Sequence, residues 1–300
     1  MQDDAWAPLA GRFVDGHYGS LRGQVRTHVI DSHLRAHLGP PSLHVVDVGG
    51  GAGDQSIPLA RDGYEVTIVD PSSAMLTRAE ERLASEDPEV ADRVTLVQAT
   101  GEEAPAALGG ARFGAVLCHG VLMYLDDPTP LVGALCELTD TGGLVSIVAK
   151  NVEVLASRPA LDGDWAAALA AFDATRQVNG LGLDTRGDRV EDLSAMLSDR
   201  GIDPIEWCGV RLFTDGWTPD QPRIDPTALV LAVELEASRR DPYRRLSRLF
   251  HLLGRRRPPA RGPVDDAELV AVGIGPSDDV RMLQAQVPVA CGLEADEAPT

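Results

Sequence analysis

The 300 residues carry 46 acidic and 27 basic side chains, a formal net charge of −19. Such acidity argues against nonspecific nucleic-acid binding, because neutralising phosphates needs a basic surface. The 44% hydrophobic fraction fits a soluble core, no apolar run nears the roughly 18 residues that span a membrane, and Met-Gln-Asp-Asp lacks a signal-peptide pattern.

Residues 1–40 read as a helical cap, with helices from Trp6 to Phe13 and from Leu21 to Leu38. Arg22 and Arg26 are four apart and share one face of the second, which is either a plain surface helix or a lid over a ligand. Val45-Val46-Asp47-Val48 then reads as the end of a buried parallel strand. Gly49, Gly50, Gly51 and Gly53 follow, where the backbone can take positive φ and a ligand can approach closely. Ser56–Ala60 begins a helix, so strand, glycine turn and helix open a nucleotide-binding α/β unit. Asp54 occupies the third glycine position of the dinucleotide fingerprint, which disfavours a nicotinamide cofactor.

Glu65–Asp70 reads as a second strand ending in a carboxylate. An acid roughly twenty residues beyond a glycine turn suits the ribose hydroxyls. Asp70-Pro71-Ser72-Ser73 also suits a helix N-cap, and the preceding glycine turn favours the ribose reading.

Further elements are expected in order: a helix over Ser72–Ala84, a strand over Arg93–Gln98 and a strand over Phe113–Leu117. A helix begins near Asp126-Asp127-Pro128, and a turn at Thr141-Gly142-Gly143 precedes a strand over Leu144–Ala149. Strands alternating with helices predict an α/β fold with a doubly wound, mostly parallel sheet. Residues 151–189 read as an inserted cover with an Ala-rich helix at Trp165–Thr175. Beyond it come a helix over Ser194–Arg200, a strand over Ile205–Phe213, and helices over Pro226–Arg239 and Tyr243–Leu253. Residues 41–254 form the expected main domain. From Arg255 an Arg/Pro-rich linker and an acidic C-terminal extension are expected over residues 255–300. The arginines from Arg239 to Arg257 are either a solvated face or a binding patch. Cys118, Cys136, Cys208 and Cys291 are scattered, which predicts reduced thiols in a cytoplasmic protein and no metal cage.

Asp47-x-Gly49-x-Gly51-x-Gly53 resembles the first motif of the class I S-adenosylmethionine (SAM) methyltransferases, a Rossmann-like family. A wider set of residues resembles one branch of it, the bacterial tRNA 5-carboxymethoxyuridine methyltransferases. The set includes Tyr18-Gly19, Gly23-Gln24-x-Arg26, Asp70 with Met75, His119-x-Val121-Leu122, Asn151 and Gly209-Val210-Arg211-x-Phe213. The resemblance spans roughly residues 1–254. It implies SAM as cofactor and a modified wobble uridine in tRNA as acceptor, its carboxylate becoming a methyl ester. It implies that Asp47 and Arg26 hold the amino-acid end of SAM, and that Gly49 and Gly50 contact the methionine part. Asp70 would hold the ribose, Gly101 and Glu102 would lie by the adenine, and His119 would close the pocket.

A carboxylate acceptor needs no general base, and no catalytic base stands out. Arg211, Arg158 and Lys150 are candidates to orient such an acceptor, with structural ion pairing as the competing role. Tyr124 reads as a pocket wall or a proton handler. Two alternatives stand beside tRNA methylation: O- or N-methylation of a small-molecule metabolite, and SAM binding without turnover.

Overall fold

The computed structural model describes residues 20–216 and 227–258. The expected Trp6–Phe13 helix, the Tyr18-Gly19 pair, Cys291 and the acidic extension beyond residue 258 lie outside them. Ser20 Oγ accepts from the Gly23 N–H at 3.2 Å and starts helix α1, Leu21–Arg35. Val25, Val29, Ile30, His33 and Leu34 recur at helical spacing and are buried.

Along the chain follow β1 (His44–Val48), α2 (Ser56–Arg61), β2 (Glu65–Asp70), α3 (Ser73–Leu83), β3 (Val94–Gln98), β4 (Phe113–His119), α4 (Thr129–Leu138) and β5 (Thr139–Lys150). A small hairpin, β6 (Arg176–Val178) and β7 (Asp184–Arg186), precedes α5 (Val190–Ser198), β8 (Ile202–Val210), α6 (Thr227–Arg239) and β9 (Leu249–Arg256). The main sheet has seven strands in the order β3-β2-β1-β4-β5-β9-β8. The first five strands are parallel, and β9 and β8 close the edge antiparallel. This is the doubly wound, mostly parallel sheet expected. Strand order reverses between β1 and β4, which opens a ligand crevice at the carboxyl ends of the strands. No helix among the described residues is long and apolar enough to cross a membrane.

Three expectations need correction. Tyr243–Leu253 is not a helix: a 3-10 turn over Tyr243–Leu246 leads into β9. Leu249, Phe250, Leu252 and Leu253 are buried because β9 lies between β5 and β8, and a short run apolar on both faces, broken only by His251, has no clear period to read. The linker does not begin at Arg255: Arg255 pairs in register with Leu144 and Arg256 with Ile202. The Arg257 N–H donates to Gly201 O at 2.9 Å, which carries the ordered chain past the last strand residue. Finally, β8 ends at Val210 and not at Phe213, where Arg211 takes a left-handed φ of 63°, outside the extended range of strand backbone.

Candidate functional site

At the crevice, β1 delivers Asp47 and then the glycine turn. Gly49 has φ 74° and donates its N–H to Val69 O at 2.7 Å. Gly51 has φ 55° and donates its N–H to Asp70 Oδ2 at 2.9 Å. A Cβ on Gly51 would stand 2.8 Å from the mobile end of Met75 at Cε, so it is the positive φ that disfavours a side chain there. Gly50 packs against the Asp47 carboxyl, and Gly53 starts α2 by accepting the Ile57 N–H at 2.9 Å.

Asp47 is buried, and its Oδ2 accepts from Ser56 Oγ at 2.7 Å. Its Oδ1 is buried with no hydrogen-bond partner among the described residues. Burial pushes the Asp47 carboxyl up to about 6, with Asp70 adding repulsion and Ser56 and Arg26 working against the rise. Asp70 Oδ1 accepts the Ser72 N–H at 2.9 Å. The cap of α3 is Ser72, whose Oγ accepts the Met75 N–H at 3.3 Å, so Asp70 does not serve as the N-cap.

Arg26, on the buried face of α1, donates to the backbone O of His119 at 3.3 Å. His119 ends β4, with Nε2 2.7 Å from Ser146 Oγ and Nδ1 buried without a partner among the described residues. Burial and then the Arg26 charge hold this imidazole down at about 3, so it is neutral. Gly101 follows β3, packed against Leu131 and Val48, and Glu102 beside it is exposed. Tyr124 is half-buried in a 3-10 turn after β4.

A second feature lies at the ends of β5 and β8 and the start of β9. Four guanidiniums gather on Asp215. Arg211 pairs with its carboxylate, and Arg158 and Arg22 donate to its backbone O at 2.9 and 3.5 Å. The Asp215 charge also acts on Arg248. Arg211 Nε and Arg248 Nη1 are buried N–H donors with no partner among the described residues. Burial works against the charge of both guanidiniums. Lys150, the one lysine of the chain, is buried nearby, donating to Thr185 Oγ1 at 2.8 Å. Burial holds its amine down at about 8, and the Arg248 charge adds to the effect.

Two buried supports fix this cluster. Glu234 on α6 accepts the N–H groups of Leu212 and Thr214 at 2.9 and 2.7 Å and holds the loop that carries Arg211. Asn151 donates to Arg245 O and Ser247 O, both at 3.0 Å, and its own N–H reaches Arg248 O at 3.1 Å.

Residues 46–145 match the family described as a methyltransferase domain. The chain is 27% identical over 259 residues to the tRNA 5-carboxymethoxyuridine methyltransferase of Escherichia coli K12, covering 85% of this chain and 97% of the relative. The chain is a SAM-dependent methyltransferase.

A ubiquinone biosynthesis O-methyltransferase of Xanthomonas campestris is 28% identical over 148 residues, 49% of this chain and 60% of the relative. Among solved structures, magnesium protoporphyrin IX methyltransferase from Synechocystis superposes with a TM-score of 0.57 at 18% identity. It covers 84% of this chain and 97% of that chain. That likeness shows the shared fold.

The methyltransferase brings Arg26, Asp47, Gly49, Gly50, Gly51, Gly53, Asp70 and His119 to one edge of the sheet. Arg158, Arg211 and Lys150 gather near the ends of β5 and β8. Arg158 and Arg211 do form ion pairs, to Asp162 and Asp215, and Arg211 still keeps a spare donor. The expected arginine patch divides. Arg240, Arg244, Arg245 and Arg257 pair with Glu236, Asp241, Glu191 and Asp203, whereas Arg248 turns into the cluster. Sequence reasoning missed Ser56, Ser146, His251, Asp215 and Glu234 as parts of the site. Ser146, His251 and Glu234 are brought in only by the pairing of distant strands and helices, whereas Ser56 and Asp215 lie within nine and four residues of Asp47 and Arg211.

Proposed function

We propose that this methyltransferase esterifies a carboxylate, and that the acceptor is the carboxylate of a modified wobble uridine in tRNA. One observation carries the proposal: buried N–H groups of Arg211 and Arg248 without partners among the described residues, in a cluster where four guanidiniums meet Asp215 and Asp162. Buried donors without acceptors are costly, and an anionic group between them would remove that cost. A guanidinium matches the two oxygens of a carboxylate by its planar fork. The E. coli relative, by its name, acts on a carboxyl-bearing uridine.

The residues of the first crevice fit SAM. The bare Asp47 Oδ1 would accept from its ammonium, and Arg26 would face its carboxylate. The backbone of the turn at Gly49 and Gly50, where no side chain intervenes, would lie against the methionine part. Asp70 would accept from the ribose hydroxyls, Gly101 and Glu102 would flank the adenine, and His119 would wall the pocket. When bound, SAM supplies an electrophilic methyl group. The protein's part is to hold the acceptor in line and to exclude water, and alignment provides most of the acceleration. An ionised carboxylate gives up no proton, so no residue is needed as a base.

A second reading, a small carboxylic acid as acceptor, draws on the net charge of −19 and on the pairing of the surface arginines with acids. Mass spectrometry of tRNA nucleosides after incubation with the pure protein and SAM separates the two. One added methyl on the carboxyl-bearing wobble uridine supports the tRNA proposal. Unmodified tRNA alongside methylated small acids overturns it.

A further inference from the structure

A chain of polar side chains leads from His119 across the face of the sheet that α1 covers to Glu206 on β8. His119 Nε2 lies 2.7 Å from Ser146 Oγ on β5, and Ser146 Oγ lies 2.7 Å from His251 Nε2 on β9. His251 Nδ1 is 3.0 Å from His33 Nδ1 on α1. His33 Nε2 faces Glu206 Oε2 on β8 at 3.6 Å, and the same oxygen accepts from His37 Nε2 at 2.6 Å. Val25, Val29, Ile30, Val148 and Val210 form the surrounding core. Polar groups in such a place are tolerated when each finds its partner.

The chain has one self-consistent polarity. Burial works against the charge of Glu206, but the hydrogen bond from His37 and the nearness of His33 hold its carboxyl below the ordinary value, so it is an acceptor only. His33 therefore turns an N–H toward it from Nε2. Burial keeps His33 neutral, which leaves its Nδ1 bare. The 3.0 Å contact then places the hydrogen on His251 Nδ1, donating to the single lone pair of His33 Nδ1, for which the weaker donor Cys208 Sγ at 3.3 Å competes. His251 is neutral through burial, so its Nε2 is bare and takes the one hydroxyl hydrogen of Ser146. Ser146 Oγ can then only accept from His119 Nε2–H. The remaining nitrogen, His119 Nδ1, is buried without a partner among the described residues, and so is His33 Nε2, which stands 3.6 Å from Glu206 Oε2, beyond hydrogen-bond reach but oriented by its charge.

We propose that Glu206, acting through His33, His251 and Ser146, fixes His119 as its Nε2–H tautomer and so presents a bare Nδ1 that accepts from an N–H group of bound SAM. The inference rests on the reading of His119 as a wall of the SAM pocket. Ser146, His251, His33 and Glu206 are positioning residues, reaching the ligand only through His119.

The test is long-range proton–nitrogen NMR of the full chain labelled in histidine nitrogen, with S-adenosylhomocysteine as the ligand. The expected tautomers are Nε2–H at His119, Nδ1–H at His251 and Nε2–H at His33, with the His119 Nδ1 signal shifting when ligand is added. Glu206→Gln replaces an obligate acceptor by an amide that can also donate, and it lies on the half-exposed end of the chain. It should leave His251 and His119 as tautomer mixtures in a folded protein. Ser146→Ala should do the same at His119 and weaken the ligand roughly fivefold, with Ser146→Thr restoring both. Reversed tautomers, or Glu206→Gln tautomers identical to wild type, overturn the chain and leave the SAM reading intact. The expected tautomers with a His119 Nδ1 signal that ligand does not move overturn the presentation of Nδ1 to SAM. A stoichiometric metal ion held by His33, Cys208 and His251, whose ligand atoms lie within 4.8 Å of one another, would also overturn it, because both Nδ1 atoms would have to be bare.

Discussion

Gly51 and Asp70 are joined by a 2.9 Å hydrogen bond from the glycine N–H to the Asp70 Oδ2. The bond ties the turn after β1 to the end of β2, so Asp70 shapes the turn as well as offering its own oxygens. Its other oxygen holds the Ser72 N–H at the start of α3. Asp70→Ala should therefore weaken SAM more than tenfold in calorimetry, about 1.4 kcal/mol or more. Asp70→Asn, which can still accept one of the two backbone N–H groups, should fall between. Unchanged affinity in the alanine variant rules out the ribose role.

Asp47 predicts a pH dependence. Its folded value, about 6, lies above the ordinary 3.8, so the ligand-free protein holds the proton more tightly than the unfolded chain does. The folded state is favoured most below about pH 4 and loses roughly 3 kcal/mol as pH rises through 6. A cation against the bare Oδ1 favours the ionised form and lowers that value. SAM binding should release a proton near pH 6 and tighten between pH 5 and 7. Calorimetry in buffers of different ionisation enthalpy measures that release, and Asp47→Asn should abolish it while weakening SAM at neutral pH.

Arg248→Gln removes one buried donor from the cluster. Hydrogen bonds to charged groups are worth about 1.5–3 kcal/mol, so the KM for the acceptor should rise at least tenfold while the Kd for SAM stays within about twofold. Arg211→Lys should act in the same direction, because an ammonium lacks the planar fork. A variant that weakens SAM and acceptor equally would show the cluster to be structural.

Glu234→Ala strips the acceptor from the N–H groups of Leu212 and Thr214. The unsatisfied groups should cost about 3 kcal/mol in denaturant unfolding. The loop bearing Arg211 loosens with them, so the acceptor KM should rise in the protein that remains folded. Wild-type stability in this variant would remove Glu234 from the account.

The donor side of the site was legible because its information is local. A strand, a turn needing positive φ at Gly49 and Gly51, and an acid at the next strand's end stand close together in sequence. The acceptor side was not legible for the opposite reason. Arg248 sits among arginines that look like a solvated face, and only β9, an apolar run read as helix, turns it inward. Arg211 was singled out, but its left-handed backbone and its support from Glu234 depend on α6 packing across β8. Ser146 and His251 stand on neighbouring strands far apart in sequence, and nothing in either segment signals the other.

The most direct measurement is the alkali lability of the methyl group transferred from isotopically labelled SAM to acceptor. A methyl ester on a carboxylate held by Arg211 and Arg248 should release its label as methanol under mild base, and release should match total incorporation. Label that stays on the acceptor, as an N-methyl or a phenolic methyl ether would, contradicts the account.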